Sequence, residues 1–168
     1  MRAIVARAGA DADALCAAGA ASAWPHVFAR ASSAQDAVRA DAVATLEAFV
    51  AARCVRASDA VARLAPAWTH ANWRARESAL KVFSGTLSRG CAREDDAREM
   101  FKRACDSMGD RESAVRDAAF ACASAARAAF PEATAEEFEL ARNDLRPQHA
   151  KALERLLTTT TTTTTTTT

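Results

Sequence analysis

The chain has 168 residues, with 22 basic and 21 acidic side chains and a formal net charge of +1. This length suits a single domain. The balanced overall charge argues neither for nor against nucleic acid or a membrane surface as a partner, and we expect neither. Any charged binding surface must therefore be local.

The composition points to helices. There are 46 alanines, whereas isoleucine, leucine, valine and phenylalanine together number 27, and tyrosine is absent. Alanine is the best helix former and its small side chain lets helices pack closely. No segment shows the sustained alternation of apolar and polar residues that marks a strand. The sequence therefore predicts an all-α fold.

The cysteine spacing and the hydropathy pattern indicate the cellular compartment. Five widely spaced cysteines, an odd number without a CxxC pair, indicate reduced thiols that mostly pack as small apolar residues, and they do not indicate a disulfide framework or a zinc site. No apolar run approaches the roughly 18 residues of a membrane span, and the N-terminus is a poor signal peptide. We expect a cytoplasmic protein. The cysteines are Cys16, Cys54, Cys91, Cys105 and Cys122.

In chain order, residues 1–22 predict one or two loosely specified helices. Three helix pairs follow, at about 23–52, 57–89 and 93–130, and closing helices span 134–157. Pro25 and Pro66 lie near the ends of first helices, where proline is tolerated. Thr134 and Glu137 form the pattern of a capping box, and Pro147 opens a last helix with Leu153, Leu156 and Leu157 on its apolar side. The run of threonines at 158–168 predicts a disordered tail.

A short pattern recurs in the second helix of each pair. When Arg39, Arg76 and Arg116 are aligned, alanine follows three positions later and a larger apolar residue at four. The copies are 37 and 40 residues apart, near the lower limit of the roughly 40–47 residues of HEAT and armadillo repeats. We therefore predict a HEAT-repeat α-solenoid of antiparallel helix pairs. Arginines repeated at one register are expected to join neighbouring units through acidic partners.

Polar residues precede each second helix. Asp36, Asn72 and Asp110 stand where a side chain can accept hydrogen bonds from the free backbone N–H groups of a helix start. In the middle pair, the stretch from Trp68 to Trp73 places two tryptophans around a polar turn. Trp73 is either a hydrophobic staple or an exposed anchor, and the sequence leaves both open. Trp24 and Trp68 are interpreted mainly as core residues.

The stretch AWTHANWRARESAL resembles the third repeat of TOG domains in the CLASP family (cytoplasmic linker-associated proteins), particularly the plant-type first TOG domain. The matching residues are Trp68, His70, Trp73, Arg74, Arg76 and Glu77. DRESAVRDAAFACASA resembles the next repeat, and LRPQHAKALERL resembles the closing helix of the domain. The resemblance covers residues 20–157, about the last four of six HEAT repeats, so we expect the chain to be N-terminally incomplete. Residues 1–20 contain no equivalent of the tryptophan-bearing loop that the first repeat of a TOG domain normally carries.

The resemblance implies that the loops between paired helices line one edge and bind tubulin. These loops map to 33–36, 69–74 and 109–113. Because tubulin is acidic, exposed arginines there would provide charge-assisted contacts. The residues predicted to contact tubulin or microtubules are Gln35, His70, Asn72, Trp73, Arg74 and Arg111, whereas Arg39, Arg76 and Arg116 are predicted to serve the fold.

The implied function is therefore non-enzymatic regulation of microtubule dynamics or organisation at the cytoskeleton, with other cytoskeletal proteins as further partners. The first alternative is a HEAT scaffold for a different partner. A third, a HEAT-fold enzyme subunit, finds little support, because none of His26, His70 and His149 lies in an HExxH motif and no phosphate-binding glycine loop is present. We predict no catalytic residues, metal or cofactor. The acidic residues at 94–96 are explained by the dipole of a helix start.

Overall fold

The structure, a computed structural model, describes residues 2–145, 147 and 149–154, with side chains from residue 14 onward. Seven α-helices have defined bounds: α1 Arg2–Arg30, α2 Asp36–Ala51, α3 Ala57–Leu64, α4 Trp73–Ser88, α5 Glu94–Ser107, α6 Ser113–Ala129 and α7 Ala135–Asp144. A 3₁₀ turn, Ala65–Ala67, extends α3, and residues 149–154 are helical. The described residues contain no strand, which confirms the all-α class.

The helices form two stacks. In one, α2 packs on α4 and α4 packs on α6; in the other, α3 packs on α5 and α5 on α7. Each helix of the first stack also packs on the helix that precedes it in the chain. Short loops join the members of each pair, so that loops of the same kind lie at the same end of the stack.

The core is centred on α4, which lies between α2 and α6. Ala79, Leu80, Val82 and Phe83 have no exposed surface. The ring of Trp68 packs on Phe83, with their centroids 5.3 Å apart. Alanines occupy several of the other buried positions of α5 and α6, and their small side chains let the two backbones approach closely. Trp24, 2% exposed, packs beside Phe49 and is a core residue.

Three expectations about local structure are wrong. Residues 2–30 form one continuous helix through Pro25, rather than loose helices followed by a new start near residue 23, because the alanine-rich segment before Pro25 is itself a strong helix former. Thr134 makes no capping box: its hydroxyl donates back to the carbonyl of Phe130. Asp36 is the first residue of α2, after the cap position, and its carboxylate binds Arg39.

A further correction concerns the cysteines. Cys16 on α1 and Cys54 after α2 form a disulfide with their Cα atoms 5.3 Å apart, so the expectation of reduced thiols fails for this pair. The pairing arises because the continuous α1 carries Cys16 over the turn that follows α2. Cys105 and Cys122 are buried free thiols, as expected, and burial raises the pKa of Cys105 to about 12. Cys91 is also free and partly exposed.

Some expectations lie outside the described residues, namely the threonine tail 158–168 and the apolar positions Leu156 and Leu157. Leu153 is fully buried. Within the described part, no helix is long and apolar enough to cross a bilayer.

Replacing Phe83 with alanine should lower the free energy of unfolding by about 3–5 kcal/mol, because it leaves a cavity in a fully buried site. Leu140→Ala on α7 is the control, since that side chain is 57% exposed, and it should change stability by less than about 0.5 kcal/mol. Urea unfolding followed by circular dichroism measures both. Equal effects of the two variants would contradict the described core.

Reduction of the Cys16–Cys54 disulfide should lower the stability of the protein by about 3–4 kcal/mol, because the bridge closes a loop between residues 38 apart. Thermal unfolding with and without dithiothreitol measures the effect. Cys16→Ser should remove the response to reductant and Cys91→Ser should retain it. Titration of five free thiols in the denatured, unreduced protein, instead of three, would refute the pairing.

Candidate partner-binding edge

The loops that join the paired helices are built alike. Loop 31–35 precedes α2, loop 68–72 precedes α4 and loop 108–112 precedes α6; these loops, together with the first turns of α2, α4 and α6, we call the loop edge. In each loop, the residue six positions before the repeated arginine accepts one hydrogen bond with its backbone carbonyl and another with its side chain. The residues in this position are Ser33, His70 and Asp110.

The carbonyl of this residue accepts a hydrogen bond from the arginine of the following helix. Arg39 donates to Ser33 at 2.8 Å, Arg76 to His70 at 2.6 Å and Arg116 to Asp110 at 2.8 Å. Arg76 and Arg116 also donate to the next carbonyl along their loops. The repeated arginine therefore fixes its own loop against the first turn of its helix.

The side chain of the same residue accepts the backbone N–H two positions later. The acceptors are Ser33 Oγ for Gln35, His70 Nδ1 for Asn72 and Asp110 Oδ1 for Glu112, at 3.2, 3.0 and 3.0 Å. Each donor is the cap residue of the following helix. Local side-chain acceptors of this kind fix tight turns ahead of helices. Three chemically different side chains thus accept the equivalent backbone hydrogen bond at one repeat position.

Adjacent loops are also bonded to each other. Asn72 donates through its side-chain amide to the carbonyl of Ser32 at 2.9 Å, and Ser78 donates to the carbonyl of Ala31 at 2.8 Å. The side-chain oxygen Oδ1 of Asn72 accepts a hydrogen bond from the N–H of Arg74, which confirms Asn72 as the cap of α4. These bonds join the first loop to the second.

The second and third loops are joined by an ion pair. Arg76 donates through Nε and Nη2 to the two carboxylate oxygens of Asp110, at 2.7 and 2.9 Å. Both side chains are largely buried, 17% and 13% exposed. The expectation that the repeated arginines join neighbouring units through acidic partners holds for Arg76 and is wrong for the other two. Among the described residues, Arg39 pairs with Asp36 of its own helix and Arg116 bonds to loop carbonyls.

The pKa values of this pair follow from its geometry. The hydrogen bond from Arg76 holds the pKa of Asp110 below its ordinary value, against an opposing effect of burial. The same bond raises the pKa of Arg76. Both groups are therefore charged throughout the neutral range. Only arginine has enough donors in a planar fork to bind a carboxylate with two atoms and a carbonyl with a third.

The predicted contact residues differ in how far they are available to a partner. Gln35 and Arg111 are exposed, and their side chains make no hydrogen bond or ion pair within the described residues; the positive charge of Arg111 lies near Asp110 and helps to lower its pKa. His70 is exposed, but its Nδ1 is used within the loop. Both the nitrogen and the oxygen of the Asn72 side-chain amide already make hydrogen bonds within the protein. It therefore serves the loop edge mainly as a structural residue.

Trp73 and Arg74 form a unit at the start of α4. Trp73 packs against the core as a hydrophobic staple would, and it is also partly exposed, as an anchor for a partner would be. Both interpretations that the sequence left open therefore apply in part. The guanidinium carbon of Arg74 lies 4.5 Å from the centre of the Trp73 ring, within the range of a cation–π contact. Arg74 Nε is buried and makes no hydrogen bond within the described part. The stacking orders a basic side chain at the middle loop.

The loop edge carries charges of both signs. Arg74 and Arg111 contribute positive charge, whereas Asp36 and Glu112 are exposed acids. Over the described residues, no group of three or more His, Cys, Asp or Glu side chains is placed to hold a metal ion. The arrangement is thus that of a rigid polar edge with one aromatic element.

Comparison of the chain with protein-family models, with curated proteins and with solved structures finds no match. The function proposed below is therefore based on the geometry of the loop edge and on the resemblance of the quoted sequence segments.

Asp110→Asn should lower the free energy of unfolding at pH 7 by about 1.5–3 kcal/mol, because it removes a charged acceptor from Arg76. Because the folded pKa of Asp110 is depressed, its contribution is present above the unfolded pKa of about 4 and is lost as the pH falls further. The stability difference between wild type and variant should therefore shrink below about pH 4.

The control for this substitution is Asp95→Asn, at a carboxylate that is 96% exposed and also faces an arginine. It should change stability by less than about 0.5 kcal/mol. Urea unfolding of wild type and both variants between pH 3 and 7, a range set around the carboxylate pKa of about 4, provides the measurement. A difference between wild type and Asp110→Asn that persists undiminished in acid would contradict the assignment.

Proposed function

We propose that the protein is a non-enzymatic helical-repeat module of HEAT type, similar to CLASP TOG domains, that binds tubulin or microtubules through its loop edge. Its role would be to regulate microtubule dynamics or organisation in the cytoplasm. The observation that carries the proposal is the joining of three successive loops into one continuous edge. This edge bears the residues that the resemblance assigns to tubulin contact.

The construction of the edge supports binding of a large, structured partner. The hydrogen bonds of Asn72 and the Arg76–Asp110 pair fix the loops relative to one another before any partner arrives. A preformed surface loses little conformational entropy on association. Long exposed side chains, by contrast, lose rotamer freedom on binding, and here the stacking of Arg74 on Trp73 reduces that cost.

Arg74 and Arg111 are the cations expected to contact the acidic tubulin surface. Arg74 lies in the first turn of α4 and Arg111 in the loop before α6, and the Arg76–Asp110 pair joins these two parts of the edge. Charge pairs at a solvated rim contribute up to about 1 kcal/mol each and act strongly on the association rate. Gln35 and the second ring nitrogen of His70 would add hydrogen bonds along the same edge.

A HEAT scaffold for a different protein is the second candidate. The exposed acids Asp36 and Glu112 favour it, since they lie on the same edge as Arg74 and Arg111 and would repel an acidic partner. A partner with charges of both signs would fit that pattern. A HEAT-fold enzyme subunit is the third candidate, and no observation favours it.

Co-sedimentation with microtubules tests the proposal. Arg74→Glu/Arg111→Glu should weaken binding about tenfold or more, because two favourable contacts become repulsive. The control Arg103→Glu/Arg142→Glu makes the same charge change on α5 and α7, at side chains that are 40% and 44% exposed, and should leave binding within about twofold.

Size-exclusion chromatography with unpolymerised tubulin separates binding of free tubulin from binding of the lattice. Equal loss in both double variants would remove the assignment to the loop edge. Absence of wild-type binding to either form of tubulin at moderate salt would favour the scaffold for another partner.

A further inference from the structure

A pocket of about 440 Å³ opens between α1 and α3, beside the loop edge; we call it the α1–α3 pocket. Its walls come from the C-terminal part of α1, from α3 with the 3₁₀ turn that follows it, and from the loops before α2 and α4. Ser32 and His70 belong both to this wall and to the loop edge. A segment of a protein bound at the edge can therefore reach the pocket, whose volume is within the range of ligand-binding clefts.

Rings form most of the apolar wall of the pocket. Trp24 and Phe28 contribute aromatic rings, and Pro25 and Pro66 contribute pyrrolidine rings. Trp24 is the most buried of the four, whereas both prolines are exposed. Aromatic side chains bind well in such surroundings, because stacked and edge-to-face contacts add to the effect of burying apolar area. The wall therefore fits an aromatic side chain.

The polar side chains at the mouth of the pocket offer hydrogen-bond donors. Arg63 is exposed and makes no hydrogen bond or ion pair within the described residues. Nδ1 of His70 accepts the backbone N–H of Asn72, so the ring proton of neutral His70 lies on Nε2. This second nitrogen is thus a donor, and the His70 side chain is exposed.

The positive charge of Arg63 is not balanced within the pocket. No Asp or Glu among the described residues lines it. Asp59, the acid of α3, pairs instead with Arg56 at 3.3 Å. Guanidinium groups bind carboxylates through two parallel hydrogen bonds, and these charge-assisted bonds are stronger than neutral ones. A carboxylate from a partner would be the counter-ion that Arg63 lacks.

We propose that the α1–α3 pocket binds an aromatic side chain that lies next to a carboxylate in an acidic segment of a partner protein. The aromatic ring packs among Trp24, Phe28 and Pro66, and the carboxylate accepts from Arg63 and from Nε2 of His70. The inference rests on the proposed function in that the partner is a protein held at the loop edge. It adds the chemistry of the segment that binds beside that edge.

Isothermal titration calorimetry of the full chain at low salt tests the pocket with three blocked pentapeptides. Their central residues are glutamate–phenylalanine–glutamate, glutamate–alanine–glutamate and lysine–phenylalanine–lysine, each flanked by glycine. The first should bind saturably, and the other two should bind at least about tenfold more weakly, because each lacks one of the two features that the pocket selects. Phenylacetate, which carries a ring and a carboxylate without a peptide chain, should bind more weakly than the first peptide.

Two variants test the assigned residues. Arg63→Gln should weaken binding of the first peptide about three- to fivefold, since it removes one partly solvated charge pair. His70→Asp keeps a side-chain acceptor for the N–H of Asn72, as Asp110 provides in the third loop, but replaces the Nε2 donor with a repelling carboxylate. It should weaken binding about tenfold with little change in thermal unfolding.

The matched control is Lys151→Gln, which removes one positive charge at an exposed position of the helical residues 149–154 and should leave binding within about twofold. In ¹⁵N–¹H spectra, the indole N–H of Trp24, assigned with the Trp68→Phe and Trp73→Phe variants, should shift most among the three tryptophans when the first peptide is added.

Absence of binding of the first peptide would overturn the proposal. Equal binding of the lysine peptide, wild-type affinity in both pocket variants, or phenylacetate binding as tight as that of the first peptide would overturn it as well. If the peptide fails to bind while microtubules still sediment the protein, the proposed function stands without this site. If the peptide binds and tubulin does not, the pocket remains and tubulin is replaced by another acidic partner.

Discussion

The loop edge depends on the hydrogen bond from the repeated arginine to the carbonyl six residues earlier. It occurs at Arg39, Arg76 and Arg116, and in each case it closes the loop that joins two paired helices. The partly buried guanidinium groups are satisfied by carbonyls that would otherwise lack donors. Because the loops then have a fixed shape, contacts between neighbouring loops can form, and a continuous edge results.

The stack of α2, α4 and α6 accordingly presents a surface made of helix starts and polar loops. Arg74 and Arg111 give this surface positive charge, and Asp36 and Glu112 give it negative charge. Charges of both signs thus lie on one preformed edge, which is the basis of the proposed contact with a protein partner.

Sequence periodicity was sufficient to predict helices, the arginine register and the cap at Asn72, since these depend on neighbours within a few residues. The shared role of Ser33, His70 and Asp110 was not predictable, because the three side chains share only an acceptor atom. Thr134 shows another limit: its hydroxyl prefers the carbonyl of Phe130 to a cap.

The Cys16–Cys54 pairing depends on the path of α1 and not on local spacing. Disulfides are typical of oxidising compartments, so in the proposed cytoplasmic setting this pair would be open to reduction.

The central claim, that Arg76 and Asp110 join adjacent units, is tested most directly by a double-mutant cycle with Arg76→Gln and Asp110→Asn. Urea unfolding of the four proteins should give a coupling energy of about 1–3 kcal/mol, whereas additive effects of the two substitutions would contradict the account.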